Sequence, residues 1–187
     1  LEYYLRCEGG DGAAFQTIAI SGARCSLPHG VPTEKKIEKG DFVTMDFGAV
    51  YESYRSDMTR TVAVGNVSDK QAEVYSTVLK AQEEALKILR ADVKCADADK
   101  AARDVIRNAG YGGYFGHSLG HGVGVEVHET PNLAPKAKAQ LKAGNVVTVE
   151  PGIYIPDEFG VRIEDFVVIT ETGYENLTSS PKNLIVL

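Results

Sequence analysis

No apolar stretch in this chain approaches the roughly 20 residues that a membrane-crossing helix needs. A helical membrane anchor within residues 1–187 is therefore excluded. There is no long run of like charge and no basic patch, and the net charge is −6. That balance argues against nucleic acid as a partner. Cysteine is scarce: Cys7, Cys25 and Cys95 are odd in number and lack metal-type spacing. They do not make a disulfide framework or a thiolate zinc site, and they read as reduced, cytoplasmic thiols. No secretory signal is visible at the start. That absence has little force, because the start is itself expected to be incomplete. What remains is 187 residues, 43% hydrophobic and 25% charged, a composition that suits one soluble domain with a sizeable core.

The chain repeats itself. Ile37-Glu-Lys-Gly-Asp-Phe-Val-Thr-Met-Asp-Phe-Gly48 matches Leu141-Lys-Ala-Gly-Asn-Val-Val-Thr-Val-Glu-Pro-Gly152. His29-Gly-Val-Pro32 echoes His128-Glu-Thr-Pro131, and Leu5-Arg-Cys-Glu-Gly9 echoes Ile106-Arg-Asn-Ala-Gly110. Three matches in the same order indicate duplication. Two related halves facing each other would bring Asp46 and Glu150 to a shared centre.

Ser68 and Gln71 form a capping-box pattern ahead of a helix to about Arg90, with Val74, Val78, Ala81, Ala85 and Ile88 inward. Asp97 is placed to cap a second helix, with Ala101, Ala102, Val105, Ile106 and Ala109 inward and Gly110 ending it. Strands are expected at 15–20, 42–50, 58–64, 123–127, 146–150 and 161–169. The class is α+β. The first half lacks a counterpart of the Ser68 helix, so roughly 30 residues of a symmetric domain are expected upstream. Residues 1–187 are accordingly read as a catalytic domain without its first helix, the alternative being a naturally compact version. Apolar groups near Leu1, Leu5 and Phe15 would then be exposed or covered by another chain, so either low stability or self-association into a homo-oligomer is expected.

Three of the four acids Asp46, Asp57, Glu150 and Glu164 are expected at strand centres, where carboxylates are disfavoured unless paired or metal-bound. Taken singly, each has a plain reading. Asp46 before Phe47-Gly48 is a turn residue, Asp57 and Glu164 are strand-edge acids, and His121 is a hydrogen-bonded core histidine. Together they make an oxygen-rich set with one imidazole, matched in charge to two divalent cations. Mn²⁺ comes first, with Co²⁺, Fe²⁺ or Zn²⁺ as alternatives. His117-x-x-x-His121 is not a helical zinc motif. It lacks the Glu, and Ser118-Leu119-Gly120 between Gly116 and Gly122 is a poor helix.

These five residues, with Gly116–Gly124, Glu150–Pro156 and Gly160–Asp165 around them, resemble the pita-bread dinuclear metallopeptidases, most closely their Xaa-Pro aminopeptidase and Xaa-Pro dipeptidase branch. The resemblance implies a pita-bread (creatinase/aminopeptidase) fold of two pseudo-symmetric halves, usually preceded by a further domain. It implies that Asp57 and Glu164 bridge two metals, that Asp46 completes one, and that His121 and Glu150 complete the other. A metal-bridging hydroxide then cleaves the bond between an N-terminal residue and proline. His128 would serve the scissile carbonyl or the transferred proton, and His29 and His117 would line the cleft. Plain readings remain, with His29 as a turn residue between Pro28 and Pro32 and Arg162 as a surface strand arginine. Otherwise Arg162 neutralises a substrate carboxylate or braces the bridging acids. Thr59 and Thr148, two residues from ligands on the same strand face, are in reach to hydrogen-bond them.

The expected substrates are short peptides with proline second. A departure lies at Gly22-Ala23-Arg24-Cys25-Ser26, where Xaa-Pro members often carry a Pro-Asn-Ser-type sequence. It leaves the entrance loop, and with it exact specificity, open. The competing readings are a methionine or general aminopeptidase and a non-catalytic pita-bread peptide-binding module.

Overall fold

The computed structural model describes residues 1–187. In chain order the elements are α1 (Glu2–Cys7), β1 (Gly12–Ala13), β2 (Ile18–Ser21), β3 (Phe42–Phe47), β4 (Ala49–Tyr51), β5 (Tyr54–Arg55), β6 (Met58–Ala63), α2 (Asp69–Ile88), α3 (Cys95–Asn108), β7 (Gly120–Gly122), β8 (Glu129–Leu133), β9 (Val146–Val149), β10 (Gly152–Ile155), β11 (Phe159–Arg162), β12 (Asp165–Ile169) and β13 (Tyr174–Asn176). No helix is long and apolar enough to cross a membrane.

The duplication is carried by the backbone. In the first half β3 lies between β2 and β6, and in the second β9 lies between β7 and β12, all antiparallel. Each central strand is followed by a hairpin, β4–β5 after β3 and β10–β11 after β9. Gly9 and Gly110 follow α1 and α3 at φ +98° and +90°, and Gly40 and Gly144 turn into β3 and β9 at φ +91° and +87°. Only glycine adopts such angles at little cost, which is why these letters recur.

α2 starts on the expected capping box, with the Ser68 side chain accepting from the Gln71 backbone N–H. Val74, Val78, Ala81 and Ala85 are fully buried. α3 starts at Cys95, two residues before Asp97, and Lys94 rather than Asp97 occupies the cap without a side-chain bond. Its inward face is Cys95, Ala98, Asp99, Ala102 and Ile106, whereas Ala109 is exposed. Both helices pack together, and α2 lies over β9, β10 and β11.

The strand expectations need two corrections. Residues 123–127 form no strand. β7 and β8 flank them, because Gly120, Gly122 and Gly124 serve close approach rather than alternation. A Cβ on Gly120 would strike the Thr148 carbonyl, one on Gly122 would lie 2.6 Å from Thr130 O, and one on Gly124 would lie 2.8 Å from the Glu129 carboxylate. The acids are not at strand centres either. Asp46 sits near the end of β3, Glu150 just past β9, Asp57 just before β6, and Glu164 in the break between β11 and β12. Strand ends leave room for a carboxylate to turn inward without displacing a packed side chain.

Candidate metal centre

The repeat now explains the acids in pairs. Asp46 and Glu150 close the two central strands, and Asp57 and Glu164 enter the two strands that follow each hairpin. The halves meet where β6 faces the Arg162–Asp165 segment, with Glu164 N–H donating to Thr59 O at 3.1 Å. All nine residues singled out as metal ligands or catalytic groups line one cavity of about 610 Å³: His29, Asp46, Asp57, His117, His121, His128, Glu150, Arg162 and Glu164.

Asp57, His121 and Glu164 each offer a donor atom within 4.8 Å of the others. His121 Nε2 lies 3.2 Å from Glu150 Oε1 and 3.7 Å from Asp57 Oδ2. Its Nδ1 is 3.1 Å from the Gly122 carbonyl, which can only accept, so Nδ1 carries a proton and Nε2 faces the acids. Thr148 Oγ1 accepts from the His121 backbone N–H and donates to Glu150 Oε1, both at 3.1 Å. Thr59 Oγ1 donates to Glu164 Oε2 at 2.6 Å and accepts from Arg162 Nε at 3.0 Å.

Three buried carboxylate oxygens have no hydrogen-bond partner: Asp46 Oδ1, Asp57 Oδ1 and Glu164 Oε1. Such orphans are costly in a protein interior. Burial, reinforced by Asp46 and Glu150, pushes Asp57 up to about 8. Burial followed by the charges of Asp57 and Glu150 carries Glu164 well above the carboxylate range. Asp46 is raised by burial in spite of Arg162. Glu150 goes the other way: burial favours its neutral form, but the His121 hydrogen bond and the His117 and His121 charges outweigh it. His121 is raised correspondingly, Glu150 overcoming the effect of burial. The pocket thus holds more negative charge than its own cations balance. Unpaired hard oxygens, an imidazole lone pair and excess negative charge together fit divalent cations.

Arg162 is not the surface strand residue of the plain reading. It is 3% exposed and committed: Nε to Thr59, NH1 to Pro28 O at 3.0 Å and to the Tyr154 hydroxyl at 2.9 Å, NH2 to Asp46 Oδ2 at 2.6 Å. It braces an acid, and these bonds leave it little to offer a substrate carboxylate. His117 is held from outside the cavity. Arg103 of α3, paired with buried Asp99, donates to the carbonyls of Phe115 and His117, and Asp99 accepts from the Leu119 N–H. His117 Nδ1 faces Ser118 O and Nε2 faces the Tyr154 hydroxyl, both at 2.8 Å, so both ring nitrogens are occupied. Burial lowers its pKa. His128 is at the rim, its ring 4.4 Å from that of His121 in edge-to-face contact, and burial together with the His121 charge lowers it. His29 is exposed at the mouth.

Tyr154 escaped sequence reasoning. An aromatic residue two places after Gly152 in a strand reads as core, yet its hydroxyl links His117 to Arg162, and burial pushes it up to about 12.

Known proteins share this arrangement. The family model described as metallopeptidase family M24 matches residues 1–171. An uncharacterized peptidase of Bacillus subtilis is 54% identical over 187 residues, all of this chain and 53% of that protein. The Xaa-Pro dipeptidase of Pyrococcus furiosus is 48% identical over 185 residues, 99% of this chain and 53% of the relative. The crystal structure of an X-Pro aminopeptidase from Thermotoga maritima superposes with a TM-score of 0.97 at 50% identity, covering 100% of this chain and 53% of its own. The chain thus spans about half the length of the relatives it matches. The fold is the pita-bread fold that the repeat and the five polar residues led us to expect. With family match, superposition and converging acids in agreement, the chain belongs to metallopeptidase family M24.

Proposed function

We propose that the protein is a metal-dependent exopeptidase that hydrolyses the bond between an N-terminal residue and a following proline, and that residues 1–187 form its catalytic domain. The observation that carries this reading is the convergence of three unpartnered buried carboxylate oxygens, on Asp46, Asp57 and Glu164, with His121 in one cavity. Asp46, Asp57, His121, Glu150 and Glu164 would hold two divalent cations, Mn²⁺ first among them. When bound, such ions activate water for attack on a peptide carbonyl and draw charge from that carbonyl.

The chain's own groups do the rest. Arg162 holds Asp46 in place, and Thr59 and Thr148 orient Glu164 and Glu150. His128, a rim imidazole with a lowered pKa, stays neutral at pH 7 and keeps both a donor and an acceptor nitrogen for the departing amine. His117, both nitrogens engaged, lines the cleft, and His29 flanks the entrance. Proline suits such a site because its tertiary amide lacks an N–H. Substrates are short peptides led by Xaa-Pro. We also read the three unpaired cysteines as fitting a cytoplasmic protein.

The test uses protein loaded with Mn²⁺ and offered Xaa-Pro, Xaa-Pro-Yaa and Xaa-Ala series, in the wild type and in His128→Ala. Cleavage should require proline and fall about 10²–10⁴-fold in the variant at unchanged metal content. Efficient Xaa-Ala cleavage with no gain from proline sinks the proline reading, and full activity of His128→Ala sinks the role given to that residue.

A further inference from the structure

A second charged cluster lies directly behind the candidate metal centre, and the proposed catalysis makes no use of it. Asp165 is fully buried, and its carboxylate accepts from Arg60 NH2 at 2.8 Å, Gln82 Nε2 at 2.9 Å, Asn176 Nδ2 at 2.9 Å and Lys182 Nζ at 2.7 Å. Lys182 also donates to Gln82 Oε1 at 3.0 Å. The Arg60 guanidinium reaches further: NH1 donates to Thr59 O at 2.9 Å and to Glu164 O, NH2 to Ser180 O at 2.8 Å, and Nε to Pro181 O at 3.0 Å. Arg60 is 5% exposed.

The placement is specific. Arg60 is three residues after Asp57, and Asp165 is the residue after Glu164. Glu164 is gripped on both sides of its backbone by the β6 segment, its N–H by Thr59 O and its carbonyl by Arg60. One planar guanidinium therefore ties the strand that enters from Asp57 to the segment that carries Glu164. The C-terminal segment closes the assembly. Ser180 and Pro181 supply carbonyls, Lys182 supplies the ammonium, the Tyr75 hydroxyl donates to Lys182 O at 2.9 Å, and Ala63 exchanges backbone bonds with Ile185 and Leu187 along the edge of β6. Lys182 lies beyond residues 1–171, the part the family model matches. A buried charge cluster this complete is a poor source of net stability, since well-packed apolar groups do as well. What it supplies is a fixed geometry.

We propose that Arg60, Asp165 and Lys182 form a clasp that sets the spacing of Asp57 and Glu164, so that the C-terminal segment Thr178–Leu187 is a positioning part of the metal centre. This rests on the two-metal reading. Outer groups that orient metal ligands are typically worth about 10–100-fold in metal affinity.

The test is titration of metal-free protein with Mn²⁺ by calorimetry, paired with the visible absorption spectrum of the Co²⁺ form. Lys182→Met keeps the stem and removes the charge, and it should weaken at least one Mn²⁺ site about tenfold and alter the Co²⁺ spectrum, while Lys182→Arg restores both. Arg60→Lys should weaken binding by about 10–100-fold. If Arg60→Lys does not fold, Lys182→Met decides alone. Wild-type Mn²⁺ affinity and an unchanged Co²⁺ spectrum in Lys182→Met, even with a lower melting temperature, overturn the clasp and leave the metal reading standing. No Mn²⁺ uptake by the wild type overturns both.

Discussion

The two halves share a backbone plan but not a means of support. Of the main core cluster only Ile18, Ile20, Cys25, Phe42 and Ala63 come from residues before Ser68; every other member comes from the second half, beneath α2 and α3. The first half's own helix, α1, buries no residue, Leu1 is 46% exposed, and Leu5 and Phe15 are half-buried. The acids follow the same division. Glu150 is held by Thr148 and His121 of its own half, and its pKa is lowered. Asp46, its repeat partner, is held by Arg162 reaching across from the other half, and its pKa is raised. Duplication placed two carboxylates symmetrically. One is self-supported and the other depends on a cross-half cation.

The acids at the seam between the halves offer the strongest break. Asp57→Asn or Glu164→Gln should abolish most turnover while the fold persists. Both acids are raised by burial and by other acids, so each variant should also melt higher than wild type when metal-free. A variant that is inactive because it is unfolded by circular dichroism would contradict this.

Next in size, Arg162→Met removes the cross-half brace and should weaken Mn²⁺ binding about 10–100-fold. Thr148→Val removes both own-half hydrogen bonds of the hydroxyl, of which only the one to Glu150 orients an acid, so the expected loss of affinity is about 1 kcal/mol or roughly fivefold. Equal losses in the two variants, measured by calorimetry, would erase the asymmetry between the halves.

Much of this was readable beforehand because it rests on local chemistry. The capping box at Ser68, the glycines at 9, 40, 110 and 144, and the acid at the end of each repeat are set by backbone geometry within a few residues. Helix burial was legible for α2, whose apolar positions follow one face. For α3 it misled, because Asp99 is buried through a pair with Arg103 that no periodicity reveals. Valine alternation at 123–127 looked like a strand, since what crowds each glycine is set by tertiary placement: Glu129 at Gly124, Thr130 at Gly122 and Thr148 at Gly120. Convergence on one pocket was expected for Asp46, Asp57, His121, Glu150 and Glu164, and His29, His117, His128 and Arg162 line the same cavity. The commitment of Arg162 was left open and Tyr154 was missed, because a long side chain's partners are chosen by tertiary packing.

A smaller effect concerns pH. With folded-state pKa values above the ordinary carboxylate range, Asp57 and Glu164 favour the folded state most at low pH. The metal-free protein should lose that stability as pH rises from about 4 through about 8, the folded value for Asp57. Glu150, lowered, works in the opposite sense only below the ordinary range. Melting temperatures across this window should fall without metal, and the fall should vanish with saturating Mn²⁺. A flat metal-free profile would contradict the charge imbalance.

An effect confined to stability tests the symmetry itself. Gly40 has its nearest neighbour 3.9 Å from a built Cβ and Gly144 has none within 4 Å, so alanine at either meets only the left-handed backbone. Each substitution should cost about 1–2 kcal/mol by denaturant unfolding. Clearly unequal costs would mean that the two turns are not energetically equivalent.

The most direct test of the central claim is metal content. Purified protein is incubated with Mn²⁺, freed of excess metal and analysed by elemental spectrometry beside Asp57→Asn. Two Mn per chain are expected in the wild type and fewer than one in the variant. No bound metal in the wild type, or two that persist in Asp57→Asn, would contradict it.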